Sequence, residues 1–180
     1  MADTTSHTSY RVHDPHARPE GRYHTEQIVA HWTVVFLVLF QYATGGAMEA
    51  AYNVAVDFGR LPADGIIVVH GLIGTSIWLL MLWRLSLRFR YGAPPPPDSL
   101  SPLMQKVSRA VHYVFYAILL SMPVFGMLAL WLKMGIIGTL HGLAAYALVA
   151  FALLHVAGAM MHLFKGDGVI RRIMRGNSLP

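Results

Sequence analysis

The sequence of 180 residues contains no cysteine. This absence excludes disulfides, thiolate zinc sites, iron–sulfur clusters and thioether-linked cofactors. Charged residues are also scarce, at 13% of the chain against 55% hydrophobic residues. Any metal must therefore be held by His, Met or carboxylate side chains, and the composition is typical of an integral membrane protein rather than of a soluble domain.

Four apolar runs are each close to the roughly 20 residues that are needed to cross a bilayer. They cover about residues 28–48, 65–85, 111–132 and 140–164. The sequence therefore predicts an all-α integral membrane four-helix bundle with both termini on one side. Its segments are a polar N-terminal arm (1–22), the transmembrane domain (23–166) and a basic tail (167–180). The arm lacks the apolar core and small-residue cleavage site of a secretory signal.

The basic residues lie almost entirely on one side of the predicted bundle. Twelve of the 14 occur in the arm, between residues 84 and 109, and from Lys165 onward; the other two are Arg60 and Lys133. By the positive-inside rule, both termini are expected to be cytoplasmic. The high pI of about 9.7 is therefore explained by the basic residues that fix the orientation of the chain in the membrane. Nucleic acid is not expected as a partner, because these charges meet anionic lipid headgroups of the bilayer.

Histidines recur within the apolar runs at positions that match in depth. His31 and His70 lie near the starts of the first and second runs, and His141 and His155 both lie on the fourth. Their separation of 14 residues places the last two on nearly one helix face, about 21 Å apart along the axis. Antiparallel helices then pair His31 with His155 on the cytoplasmic side and His70 with His141 on the outer side. An earlier start of the first helix, near Tyr23, would bring His31 closer to the level of His155.

An imidazole is costly to bury in hydrocarbon unless it has a partner, and a metal held by two neutral imidazoles is such a partner. Six-coordinate haem iron takes axial donors from opposite faces of the ring, and histidines on different helices of a bundle supply them. The spacing therefore predicts two haems, one at each level of the membrane. The predicted iron ligands are His31, His70, His141 and His155.

Three further polar residues are expected at the cytoplasmic level of the bundle, and two of them are candidates to bind a cofactor. Arg84 follows His70 by 14 residues, and its guanidinium suits either haem propionates or lipid phosphate. His162, seven residues beyond His155, is a candidate to hydrogen-bond a quinone carbonyl or relay its proton. His112 is expected to be an interfacial histidine with no second histidine at its depth.

These residues resemble the bacterial cytochrome b561 family, four-helix dihaem proteins related to the cytochrome b subunits of formate dehydrogenase and nickel–iron hydrogenase. The resemblance covers the chain after the arm. The matching segments are Ala30-His31-Trp32, Val69-His70-Gly71, Leu82-Trp83-Arg84-Leu85, Met122-Pro123-Val124-Phe125-Gly126, Leu154-His155-Val156-Ala157, Met161-His162 and Lys165-Gly166-Asp167-Gly168-Val169. It implies that the four histidines bind two haem b groups and that the protein lies in the bacterial inner membrane.

The resemblance also implies electron transfer between a membrane quinone, ubiquinone, and a redox partner at the outer, periplasmic face. That partner would be a periplasmic redox protein or a dehydrogenase subunit, and assembly into a homodimer is left open. The alternative is a stand-alone superoxide:ubiquinone oxidoreductase. The predicted outer connections carry Glu49, Asp57 and Asp64 against Arg60 and Lys133, a balance that does not favour attraction of an anion.

Two non-redox functions are further alternatives. One is a histidine-lined metal or proton transporter, in which intramembrane histidines are also expected. The other is a bundle whose histidines only hydrogen-bond to each other. Such bonds contribute only about 1 kcal/mol each in membranes, so they give a weak reason for four buried imidazoles.

Overall fold

A computed structural model of the chain describes residues 23–59, 65–95, 100–166, 170 and 173–174. Four helices account for most of this part of the chain. They are α1 (Thr25–Phe58), α2 (Ile66–Tyr91), α3 (Pro102–Leu132) and α4 (Gly135–Lys165). Each helix is long and apolar enough to cross a membrane, so the predicted all-α four-helix bundle is confirmed. The predicted arm, and all but three residues of the predicted tail, lie outside the described residues.

The helices extend beyond the apolar runs from which they were predicted. Helix α1 begins at Thr25, close to the expected earlier start, and α2 continues through Arg88 to Tyr91. Helix α3 already begins at Pro102 and includes Lys106 within its first two turns. Hydropathy detects the segment that suits hydrocarbon, whereas the backbone remains helical into the headgroup region, where charged side chains are solvated.

The local sequence accounts for several helix ends. Ser101 precedes α3 and accepts a hydrogen bond from the Met104 amide, while Pro102 occupies the first turn, where its missing N–H costs nothing. Gly59 adopts a left-handed conformation after α1, with φ of 68°. Among the described residues, Lys133 is the one non-glycine residue with positive φ, at 52°, and its ammonium donates to the Gly59 carbonyl at 3.0 Å. This contact joins the connection after α1 to the turn between α3 and α4.

The helices pack in sequence order, α1 against α2, α2 against α3 and α3 against α4. A small core at mid-length draws side chains from all four helices, namely Val34, Ile77, Met81, Leu119 and Leu148. Most other large apolar side chains point outward, for example Tyr146 with 76% of its surface exposed. Outward apolar side chains are expected where lipid is the solvent, because lipid gives no hydrophobic penalty for them.

Aromatic side chains link neighbouring helices through hydrogen bonds to backbone carbonyls. The Trp78 indole on α2 donates to the Leu120 carbonyl on α3 at 3.1 Å. The Tyr42 hydroxyl on α1 donates to the Ala145 carbonyl on α4. The Tyr52 hydroxyl donates to the Met134 carbonyl at 3.3 Å, before α4 begins. In hydrocarbon such bonds satisfy the polar end of each ring, which would otherwise be unpaired.

Gly138 provides a test of this packing, because a methyl group there would lie 2.8 Å from the Tyr52 ring and hydroxyl. Gly138→Ala has to displace the ring and with it the hydrogen bond to Met134. Because a hydrogen bond contributes about 0.5–1.5 kcal/mol, we expect unfolding in detergent to show a loss of about 1 kcal/mol. A matched control is Gly135→Ala, whose methyl group would meet no atom within 4 Å.

The same substitution in a Tyr52→Ala background separates this cause from a general effect on α4. With the ring already removed, Gly138→Ala should carry no further cost, since residues in contact are coupled. An equal loss of stability in both backgrounds would contradict the assigned contact.

Candidate functional site

The structure brings His31 on α1 next to His155 on α4. Their ring centres are 6.4 Å apart and the ring planes are inclined by 63°. Both side chains are half-buried. We call these two residues the first pair; they lie at the end of the bundle where α1 begins and α4 ends.

His70 on α2 faces His141 on α4 at the other end of the bundle. The ring centres are 6.2 Å apart with an interplanar angle of 67°. We call these residues the second pair. Both predicted pairings of histidines are therefore observed as neighbours, although their role as metal ligands remains a prediction.

The spacing of both pairs fits one metal ion between two imidazoles. An imidazole nitrogen binds a transition metal at about 2.0–2.1 Å, so two rings on opposite sides of one ion have centres about 6.3 Å apart. The observed 6.2 and 6.4 Å agree with this value. A direct hydrogen bond between two imidazole nitrogens would need a separation of about 3 Å between those atoms, and none is found between these rings in the described residues.

The donor set also favours a metal that brings further ligands of its own. Among the described residues, no group of three or more His, Cys, Asp or Glu side chains is arranged to hold a metal. A structural zinc site takes four protein ligands and a catalytic one takes three. Haem iron instead receives four nitrogens from the macrocycle and needs only two axial donors from the protein. Each histidine pair therefore fits a haem better than it fits a bare ion.

The rings of the second pair differ in their surroundings. The Nδ1 atom of His141 lies 2.9 Å from the Met122 carbonyl oxygen on α3. The side-chain amide nitrogen of Gln41 donates a hydrogen bond to the backbone carbonyl of His70 at 3.0 Å. Within the described part of the chain, the His70 Nδ1 and the Gln41 side-chain oxygen are buried without a hydrogen-bond partner.

His112 lies at the level of the first pair, which corrects the expectation that no second histidine shares its depth. Its ring centre on α3 is 5.1 Å from that of His155, and its Nδ1 is 2.7 Å from the Ser108 carbonyl. Phe115 contacts the same ring of His155, with centres 5.5 Å apart. The error arose because α3 begins at Pro102, so His112 lies well inside the helix rather than at its start.

Arg84 is placed at the first pair, as its spacing predicts. The guanidinium is close enough to interact electrostatically with His31 and His155. Further electrostatic neighbours of Arg84 among the described residues are Tyr23, Tyr116 and Arg88, and none of these is a carboxylate. A partly buried cation in hydrocarbon favours an anionic partner, so this position suits an acidic group of a bound cofactor.

His162 lies on α4 seven residues beyond His155, nearer the end of the helix, and is half-buried. Seven residues correspond to about 10.5 Å along the axis. Its contact with a quinone remains a prediction. His24 stacks on Tyr91 with ring centres 4.0 Å apart, at the junction of α1 with the end of α2.

Comparison with known families places this chain among cytochromes. A family model described as prokaryotic cytochrome b561 matches residues 22–176. Cytochrome b562 of Cereibacter sphaeroides is 32% identical over 157 residues, which cover 87% of this chain and 97% of that protein. The resemblance inferred from the sequence motifs is confirmed by these matches.

Two further relatives match shorter parts of the chain. A protein of Yersinia pestis named "Probable superoxide oxidase CybB" is 25% identical over 125 residues, which cover 64% of this chain and 65% of that protein. Cytochrome b561 homolog 1 of Escherichia coli K12 is 28% identical over 114 residues, which cover 59% of this chain and 57% of that protein.

Proposed function

Because the chain belongs to the prokaryotic cytochrome b561 family, we propose that this membrane b-type cytochrome transfers electrons through two haem b groups. The electrons pass between a membrane quinone, ubiquinone, and a redox partner at the outer face of the bacterial inner membrane. The family and the four apolar helices already establish a multi-pass bacterial membrane cytochrome that carries haem b. The number of haems, the quinone, the partner and the choice of membrane belong to the proposal.

The observation that carries the proposal is the spacing of the two histidine pairs. Rings 6.4 and 6.2 Å apart match two imidazoles on opposite sides of one ion. His31 and His155 would hold one haem, and His70 and His141 the other. Each bound haem would supply a one-electron carrier, and the two imidazoles of its pair would hold it in the bundle.

The two histidine pairs are separated along the axis of the bundle. The two histidines on α4 are 14 residues apart, or about 21 Å along the axis, within a hydrocarbon core about 30 Å thick. Leu148 lies midway between them and packs with Ile77 and Met81 in the buried core. This apolar layer excludes water and protons from the middle of the bundle, and it keeps the environment of low dielectric.

Arg84 and His162 would serve the first pair in different ways. The guanidinium would neutralise a haem propionate through charge-assisted hydrogen bonds. The imidazole of His162 would hydrogen-bond a quinone carbonyl and take up or release its proton. The quinone would therefore react at the end of the bundle where α1 begins, and the partner would dock at the opposite end.

The charges at that opposite end favour a basic redox partner. Glu49 and Asp57 lie on the last turns of α1 and are exposed. Lys133, a basic side chain of the same end, donates to the Gly59 carbonyl. The described part of this surface therefore offers exposed carboxylates, which attract a positively charged protein.

The pairing of the histidines gives the decisive test of the proposal. The purified wild-type protein should contain two haem b groups per chain, measured as pyridine haemochrome. His31→Ala and His155→Ala should each remove the same spectral component, because the lost ligand leaves the iron without its second axial donor. His70→Ala and His141→Ala should each remove the other component.

His162→Ala is the matched control on α4. This variant should retain both haems while its rate of reaction with quinone falls. The pairing would be wrong if His31→Ala and His70→Ala removed the same component. A wild-type protein without haem would refute the proposed function itself.

Arg84→Gln tests the assigned role of the guanidinium. Hydrogen bonds to charged groups contribute about 1.5–3 kcal/mol, so haem at the first pair should bind about tenfold or more weakly. The measurement is the loss of haem to a soluble haem-accepting protein, followed for each spectral component. The control is Arg90→Gln on the same helix, because Arg90 lies over the Tyr91 ring at 5.3 Å. Equal haem loss in the two variants would show that Arg84 only contacts lipid.

A second candidate function is a superoxide:ubiquinone oxidoreductase, favoured by the name of the Yersinia pestis relative. In that reaction two superoxide ions would lose one electron each to form oxygen, and one quinone would take up two electrons and two protons. The outer carboxylates Glu49 and Asp57 do not favour binding of an anion.

Mixing the purified protein with a superoxide source and quinone discriminates between the two functions. If a redox partner is required, we expect no haem reduction by superoxide in the absence of that partner. Reduction that superoxide dismutase abolishes, accompanied by quinol formation, would instead support the second candidate.

A further inference from the structure

His141 is held on two sides by one short segment of α3. Its Nδ1 atom lies 2.9 Å from the Met122 carbonyl oxygen. One turn further along α3, a methyl group built on Gly126 would lie 3.2 Å from the His141 Cε1 and 3.3 Å from its Nδ1. The backbone of α3 thus approaches this ring closely at two positions, and the approach at the second depends on the absence of a side chain.

The contact with Met122 fixes the tautomer of His141. A carbonyl oxygen only accepts hydrogen bonds, so Nδ1 must carry the proton and donate it. Nε2 then carries the lone pair, which is the form of imidazole that a metal ion binds. The same hydrogen bond makes the ring a stronger electron donor and limits its rotation about the Cβ–Cγ bond.

Pro123 follows Met122 directly and lies inside α3. A proline within a helix lacks the N–H that would bond to the carbonyl four residues earlier, here that of Leu119, and its ring presses on the preceding turn. Two side-chain contacts to carbonyls occur beside it, from Trp78 to Leu120 at 3.1 Å and from His141 to Met122. This segment of α3 thus accepts hydrogen bonds from α2 and from α4.

The other three histidines of the two pairs have different surroundings. In the described residues, the buried Nδ1 of His70 has no hydrogen-bond partner. The ring of His31 contacts Trp32, and the ring of His155 contacts His112 and Phe115. Among these four histidines, within the residues that the structure describes, only His141 is therefore seen in close contact with the backbone of a neighbouring helix.

We propose that Met122 and Gly126 are positioning residues that orient His141 for the metal of the second pair. This inference rests on the proposed function, since it assigns a role to residues around a haem ligand. The Met122 carbonyl sets the tautomer and the direction of the ring, and Gly126 leaves the space that the ring occupies. A change at Gly126 should consequently alter one haem and spare the other.

The test uses Gly126→Ala in the full-length, haem-loaded protein. The added methyl group has to push the His141 ring by a few tenths of an ångström, which weakens its bond to Met122. Electron paramagnetic resonance of the oxidised protein should show a shifted low-spin signal for the haem that His70→Ala removes. Because loss of such outer support typically weakens metal binding 10- to 100-fold, that haem should also dissociate about tenfold more readily to a haem-accepting protein.

Two further variants make the outcome specific. Gly135→Ala, whose methyl group would meet no atom within 4 Å, should leave both haem signals unchanged. Gly126→Val, with a larger side chain, should displace the same haem further than Gly126→Ala does. The haem of the first pair, with an unchanged signal, reports in each sample that the bundle is folded.

Identical signals in Gly126→Ala and Gly135→Ala would overturn the positioning role while leaving the proposed function intact. Equal disturbance of both haems would overturn it as well, because a general loss of packing would then be sufficient. A wild-type protein that contains no haem would instead refute the proposed function, so the two failures are distinguishable.

Discussion

The energetic cost of an imidazole in hydrocarbon is the constraint on which the arrangement of the four helices depends. Helix α4 carries two such rings, and each faces a histidine of a different helix, His31 on α1 and His70 on α2. Backbone packing follows the order of the sequence, from α1 through to α4. The approach of α4 to α1 and α2 is instead marked by the facing rings and by the Tyr42 hydrogen bond.

Much of this architecture could be predicted from the sequence because its signals are periodic. Apolar runs of bilayer length predicted the four helices, and the confirmed family agrees with them. The separation of His141 and His155 by 14 residues, combined with antiparallel topology, predicted which histidines become neighbours. Helical geometry alone was sufficient for this step, since it requires no knowledge of side-chain packing. The role of these histidines as iron ligands remains a prediction.

Other features of the site could not be predicted because they depend on tertiary contacts or on helix ends. The charges of Lys106 and Arg109 conceal the start of α3 from a hydropathy argument, and the depth of His112 was therefore misjudged. The position of His141 depends on the backbone carbonyl of Met122 and on the absence of a side chain at Gly126. Neither feature has a chemical signature in the sequence, although both belong to a segment that the family resemblance had marked.

The placement of two proposed ligands on one helix has a consequence for assembly. Insertion of a cofactor at either level would immobilise α4 and so reduce the conformational entropy that the second insertion has to overcome. Loading of the apoprotein is therefore expected to be cooperative, with half-filled molecules underrepresented when cofactor is limiting. The 14-residue interval on α4 would in this way couple maturation of one centre to that of the other.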